Sequence, residues 1–133
     1  MNCLRGSIFF LFLFVSKIVI AQGELWGSTA SGGGNGIGTI FKTNANGTEF
    51  TMEYQLTSIS TGFFPVADMT LASNGKIYGT TTSGGINDGG VIFEFNIVSN
   101  NYEKRFDLTS ATGTVPYVKL FQATNGQIYG AGS

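Results

Sequence analysis

Apolar residues recur at every second position in several short runs of this chain. In "EFTMEYQL", Phe50, Met52, Tyr54 and Leu56 alternate with Thr51, Glu53 and Gln55. That is the period of a strand with one buried face. "YEKRFDL" repeats the pattern with Tyr102, Phe106 and Leu108 on one face and Lys104 as its single polar exception. "GVIFEFNIV" is apolar on both faces apart from Glu94 and Asn96, as a more central strand would be. No run carries the 3.6-residue period of an amphipathic helix.

Turn signals separate these runs. Asn74-Gly75 and Asn125-Gly126 each stand between two strand-like stretches, "VADMTLAS" and "KIYGTTT" in the first case. They predict two-residue hairpins of type I′, which need positive φ at both central residues. A glycine-rich stretch then leads to "GVIFEFN", a turn near Ser99–Asn101 leads to "YEKRFDL", and a longer connector follows. The connector is "TSISTGFFP" in one place and "TSATGTVP" in the next. Four strands in a meander and then a longer step describe a propeller blade.

The order recurs. Laid over Gly75–Phe93 at an offset of 52, Gly23–Phe41 is identical at ten of nineteen positions, including Gly32, Gly33 and Gly38 against Gly84, Gly85 and Gly90. Leu25/Ile77, Trp26/Tyr78 and Ser28/Thr80 are conservative pairs. A third copy begins at "NGQIYG", where Tyr129 follows Tyr78 by 51 residues. Repeats of this period mark solenoids, propellers or arrays. The expected fold is all-β: part of a β-propeller-like array of four-stranded antiparallel units, about 52 residues per repeat. Its expected divisions are an incomplete, three-stranded first repeat with connector (22–64), a complete four-stranded repeat with connector (65–115) and the start of a third (116–133). A ring needs about four blades or more, so the chain reads as the N-terminal part of a longer array. Its first unit lacks a first strand, which the far end of the chain would supply.

Residues 1–21 are expected to be a secretory signal peptide. Arg5 precedes the apolar run "IFFLFLFV", and "VIAQ" places small-residue positions before a cut at Gln22. The run falls short of the roughly 20 residues that span a bilayer. Without that leader the chain has five basic against eight acidic residues, no cysteine and no histidine. Disulfides are therefore unavailable to it. The lack of any basic cluster argues against nucleic acid as a partner.

"GELWGSTASGGGNGIGTIFKTNANG" and "GKIYGTTTSGGINDGGVIFEFN" resemble the GloVer tandem repeat, with its linked L-Y-G-T-T, S-G-G and G-x-[VI]-F motifs. Trp26 stands for the tyrosine, and Ala131 for a usual threonine. The resemblance implies a secreted or surface-attached bacterial protein with a variable, choice-of-anchor C-terminus. It carries no catalytic residues over to this sequence.

Candidate chemistry is sparse. "SGGGNGIGTIF" fits neither the dinucleotide nor the P-loop spacing and leads into no helix, so its glycines are expected to make a wide turn between strands. His/Cys metal sites and Ser-His or Cys-His nucleophiles are excluded by composition. Asn87 and Asp88 have oxygen ligands suited to calcium, but Gly36 replaces Asp88 in the first copy, and a polar turn is the simpler reading. Asn46-Gly47-Thr48 matches a glycosylation sequon and reads as a hairpin turn. Trp26, Tyr78 and Tyr129 share one repeat position, suited to stacking on sugars or to core packing. No cofactor is expected. Two functions remain: a secreted or cell-surface module that binds a glycan or protein or serves as a scaffold beside the remaining repeats of the chain, or the leading part of a polysaccharide hydrolase or lyase whose catalytic groups lie beyond residue 133.

Overall fold

A computed structural model describes residues 23–131; the leader read from residues 1–21 lies outside them. The described chain is all-β, with one 3₁₀ turn, Ile59–Thr61, and no α-helix. Strands β1 (Glu24–Thr29), β2 (Thr39–Asn44) and β3 (Thr51–Gln55) form a first sheet. β4 (Thr70–Leu71), β5 (Lys76–Thr80), β6 (Val91–Asn96) and β7 (Asn101–Asp107) form a second, and β8 (Phe121–Gln122) with β9 (Ile128–Tyr129) a third. Every pairing is antiparallel between chain neighbours.

The tightest turns differ from the type I′ form that the Asn-Gly pairs predict. The Ala72 N–H donates to the Lys76 carbonyl (2.9 Å), and the Gly75 N–H to the Ala72 carbonyl (3.0 Å). Three residues therefore lie in the loop, and of these Gly75, at φ 76°, has positive φ while Asn74 does not. Asn74 acts through its side chain, whose Oδ1 accepts from the Lys76 N–H at 3.0 Å. That bond favours the three-residue loop closed by a left-handed glycine. Gly126 (φ 83°) and Gly47 (φ 80°) close loops of the same geometry, and Asn125 repeats the side-chain bond to Gln127.

The glycine-rich stretches are wide loops between β1 and β2 and between β5 and β6. Gly38 N–H donates to the Gly32 carbonyl (3.2 Å), and Gly90 N–H to the Gly84 carbonyl (3.1 Å), closing the two loops alike. Gly33 accepts from Gly36 inside the first, and Gly85 donates to Ile59 of the connector in the second. Asp88 Oδ1 accepts from the Gly84 N–H at 2.6 Å, so the "INDGG" carboxylate holds its own loop.

A second difference concerns strand faces. In both larger sheets the register shifts by one residue, between Ile40 and Phe41 and between Ile92 and Phe93. Glu53 and Arg105, 52 apart, are the extra residues of two β-bulges. Paired residues share a face. Tyr54 thus lies beside Ile40, while Met52 lies beside Phe41 on the opposite face. Likewise Tyr102 and Lys104 join Phe95 and Phe93, whereas Phe106 joins Ile92 behind them. Unbroken alternation had put Met52 with Tyr54, and Tyr102 with Phe106. The bulge separates both pairs and leaves Lys104 on the Phe93 face beside Tyr102.

These faces stack in series. The Ile40 face of the first sheet packs on the Phe93 face of the second, and Ile40, Ile77, Phe93 and Phe95 form a buried cluster. Trp26 meets Phe95 at a centroid distance of 5.8 Å, and Tyr54 stacks on Tyr102 at 4.9 Å with planes 1° apart. Gly27 and Gly79 serve this stacking. A Cβ on either would lie 2.4 Å from the ring of Phe41 or Phe93, so only glycine lets those rings lie flat on their sheets. The Tyr102 hydroxyl donates to the Thr61 carbonyl (2.8 Å), and burial holds its pKa well above the usual phenol range.

Candidate functional site

Trp26, Tyr78 and Tyr129 occupy matching places in three successive sheets but have different surroundings. Trp26 lies against Phe95 at the interface between the first two sheets, with the Lys42 ammonium 5.5 Å from its ring centroid. Tyr78 sits on the rear face of the second sheet, donating to Glu94 Oε2 (2.7 Å) and accepting from Asn74 Nδ2 (3.0 Å). Tyr129 is exposed and donates to Gln127 (2.7 Å). They do not converge on one concavity.

A polar cleft of about 330 Å³ does bring unlike groups together. Trp26, Ser28, Asp68, Met69 and Lys119 line it. Asp68 and Lys119 stand 51 residues apart at the same place in the second and third repeats. Pro65 and Pro116, both buried, start the segments that carry them. A mainly apolar cavity of about 390 Å³, walled by Glu24, Leu25, Trp26, Met69, Leu71, Ile77 and Ile97, also borders the indole.

The charged groups make two triads that the residue-by-residue reading missed. In the first sheet Lys42 Nζ lies 3.2 Å from Glu24 and 3.3 Å from Glu53. In the second, Glu94 lies 2.5 Å from Lys76 and 3.7 Å from Arg105. Each position is 52 residues from its counterpart, and each charge is reversed. The signal was present in the repeat alignment as three opposite-sign substitutions. Only the pairing of β1 with β2 and the bulge bring the three places together. Hydrogen bonds to Glu24 and then Glu53 raise the Lys42 pKa, and the bond to Glu94 raises that of Lys76. The Lys76 ammonium, assisted by the Tyr78 hydroxyl, holds the buried Glu94 carboxyl below the usual range against its burial. Lys104 does the same for Asp107, 2.9 Å away.

Carboxylates with adjacent cations are poor proton carriers near neutrality. Among the described residues no cluster of His, Cys, Asp or Glu suits a metal ion, and no helix is long and apolar enough to cross a membrane.

Serially stacked antiparallel sheets, with closing loops and bulges recurring at one offset, define a β-repeat protein. The chain belongs to the Gloeobacter/Verrucomicrobia repeat family, whose pattern it matches over residues 15–133. No curated protein and no solved structure matches it.

Proposed function

We propose that this chain is a secreted or cell-surface repeat module whose sheets stack as blades of a propeller-like array and whose inter-sheet cleft binds a glycan or an envelope protein. The units run over 22–64, 65–115 and 116–133, behind a leader cleaved before Gln22. The observation that carries the binding role is the cleft itself, where an indole wall, the Asp68 carboxylate and the Lys119 ammonium surround one polar concavity. An aromatic surface with a few directed polar groups is how sugars and polar side chains are held without chemistry on them. The propeller-like arrangement is supported by the matching stacked faces.

Titration calorimetry against a panel of envelope and plant-type oligosaccharides tests the binding role. Trp26→Ala is expected to weaken the ligand found by about tenfold or more. Asp68→Asn and Lys119→Ala, at exposed positions, control for lost packing. Unchanged affinity in all three variants overturns the cleft as the site. N-terminal sequencing of the protein recovered outside an expressing Gram-negative cell is expected to begin at Gln22; a product retained in the cytoplasm with Met1 overturns export.

A further inference from the structure

The first two units are close to interchangeable in backbone and apolar fit. β1 pairs with β2 from Glu24↔Asn44 to Thr29↔Thr39, and β5 pairs with β6 from Lys76↔Asn96 to Thr80↔Ile92. That is one register moved along by 52 residues. The bulge falls at the same step on the far side of β2 and of β6. Gly27 makes room for the Phe41 ring as Gly79 does for that of Phe93. The first strands differ by Leu25 for Ile77, Trp26 for Tyr78 and Ser28 for Thr80. None of these changes stops either strand from lying on the other's partner.

The connections do not settle the pairing either. β2 reaches β3 through residues 45–50 and β6 reaches β7 through residues 97–100, so those pairs form locally. β1 is tied to β2 only through residues 30–38, and β5 to β6 only through residues 81–90. Closing a loop of that length costs little less than closing a longer one. Tandem units this alike are exposed to strand exchange, a characteristic failure of repeat proteins.

Charge is where the first strands differ in kind. β1 brings Glu24 to Lys42 at 3.2 Å, and β5 brings Lys76 to Glu94 at 2.5 Å. Exchanged at the same register, β1 would set Glu24 against Glu94, and β5 would set Lys76 against Lys42. Glu53, 3.3 Å from Lys42, would likewise meet Glu94 if β3 lay on β6. β7 is less selective, because Arg105 carries Glu103 with it at 3.2 Å. The Glu94 site is the strict one. That residue is 4% exposed, and a second carboxylate beside a buried one is costly, whereas an exposed ion pair adds little. The Lys42 side chain is 31% exposed and rejects Lys76 more weakly.

We propose that the reversed charges select strand partners: they assign β1 to β2 and β5 to β6, and keep the two first strands from exchanging between units as the protein folds. Their main effect is to exclude the wrong partner rather than to strengthen the right one.

Refolding of the full chain from urea tests this. Glu24→Lys, Lys42→Glu and Glu53→Gln together give the first sheet's β1 and β2 the signs of β5 and β6, and the β1–β2 ion pair stays opposite in sign. The Glu53→Gln change also keeps an acceptor for Asn100. On dilution from urea this variant is expected to recover at least about twofold less native Trp26 fluorescence than wild type. Each recovery is taken relative to the same protein never unfolded, and the missing fraction is expected as exchanged dimers or larger species on size exclusion. Lys104→Ala breaks an ion pair within one strand, that of Lys104 with Asp107, and is expected to recover as wild type does. If circular dichroism shows the triple variant unfolded before any urea is added, Glu24→Gln with Lys76→Gln takes its place. Both first strands are then neutral, and the same fall is expected. Recovery equal to wild type in the folded variant overturns the proposal. So does an equal fall in Lys104→Ala, which would assign the loss to stability alone.

Discussion

At Gly90 one missing carbon decides whether a loop closes. Its φ is 92°, and a Cβ there would lie 2.1 Å from the Thr81 carbonyl oxygen. Gly36 also has positive φ, 71°, but a Cβ on it would meet nothing within 4 Å. Gly36→Ala therefore loses only the left-handed penalty, about 1 kcal/mol. Gly90→Ala adds a backbone collision and is expected to lose about 2–4 kcal/mol. Urea unfolding of the two variants side by side checks this; equal losses would mean the close approach is not what the glycine serves. That the glycines turn the chain was legible from the repeat. Asp88 was harder to read, because oxygen ligands and a loop-closing acceptor look alike in one sequence. The bond to Gly84 shows the second use.

At the element scale the bulges decide which residues meet. Deleting Arg105 would straighten β7 and turn Tyr102 to the opposite face, since side chains alternate with a period of two. Tyr102 would lose its stack on Tyr54 and its contact with Phe93, whose ring lies 5.0 Å away. The deletion is expected to destabilise the protein by about 3 kcal/mol or more, as emptying a core aromatic site does. Arg105→Ala, which keeps the residue count, is expected to change stability by well under half of that. Chemical denaturation followed by tyrosine fluorescence measures both, and similar values for the two would show that the bulge does not set the face. The strands themselves were legible from alternation. Their exact faces were not, because a bulge made of polar residues, Glu53 and Arg105, leaves no mark in apolar periodicity.

Across the whole molecule each ion network ties the strands of one sheet to one another. Glu94 is the titratable centre of one of them. Because Lys76 lowers its folded-state pKa below the reference value of 4.5, its contribution is present above that pH and is lost as pH falls through the lowered value. Asp107, lowered by Lys104 from 3.8, acts in the same direction. Melting temperature is expected to hold from neutrality to about pH 4.5 and then drop. Glu94→Gln is expected to start lower at neutral pH and lose less on acidification. A variant that falls as steeply as the wild type would place the acid sensitivity elsewhere.

The sequence by itself determined the all-β class, the 52-residue repeat, the loop glycines and the family, because each is written in local residue types at a fixed spacing. Tertiary structure alone decided the strand faces, the three-residue form of the hairpins, the gathering of Glu24, Lys42 and Glu53 and of their reversed counterparts, and the cleft shared by Trp26, Asp68 and Lys119. Those depend on which strand pairs with which and where a ladder slips by one residue. Such contacts join positions tens of residues apart, and no local pattern encodes them.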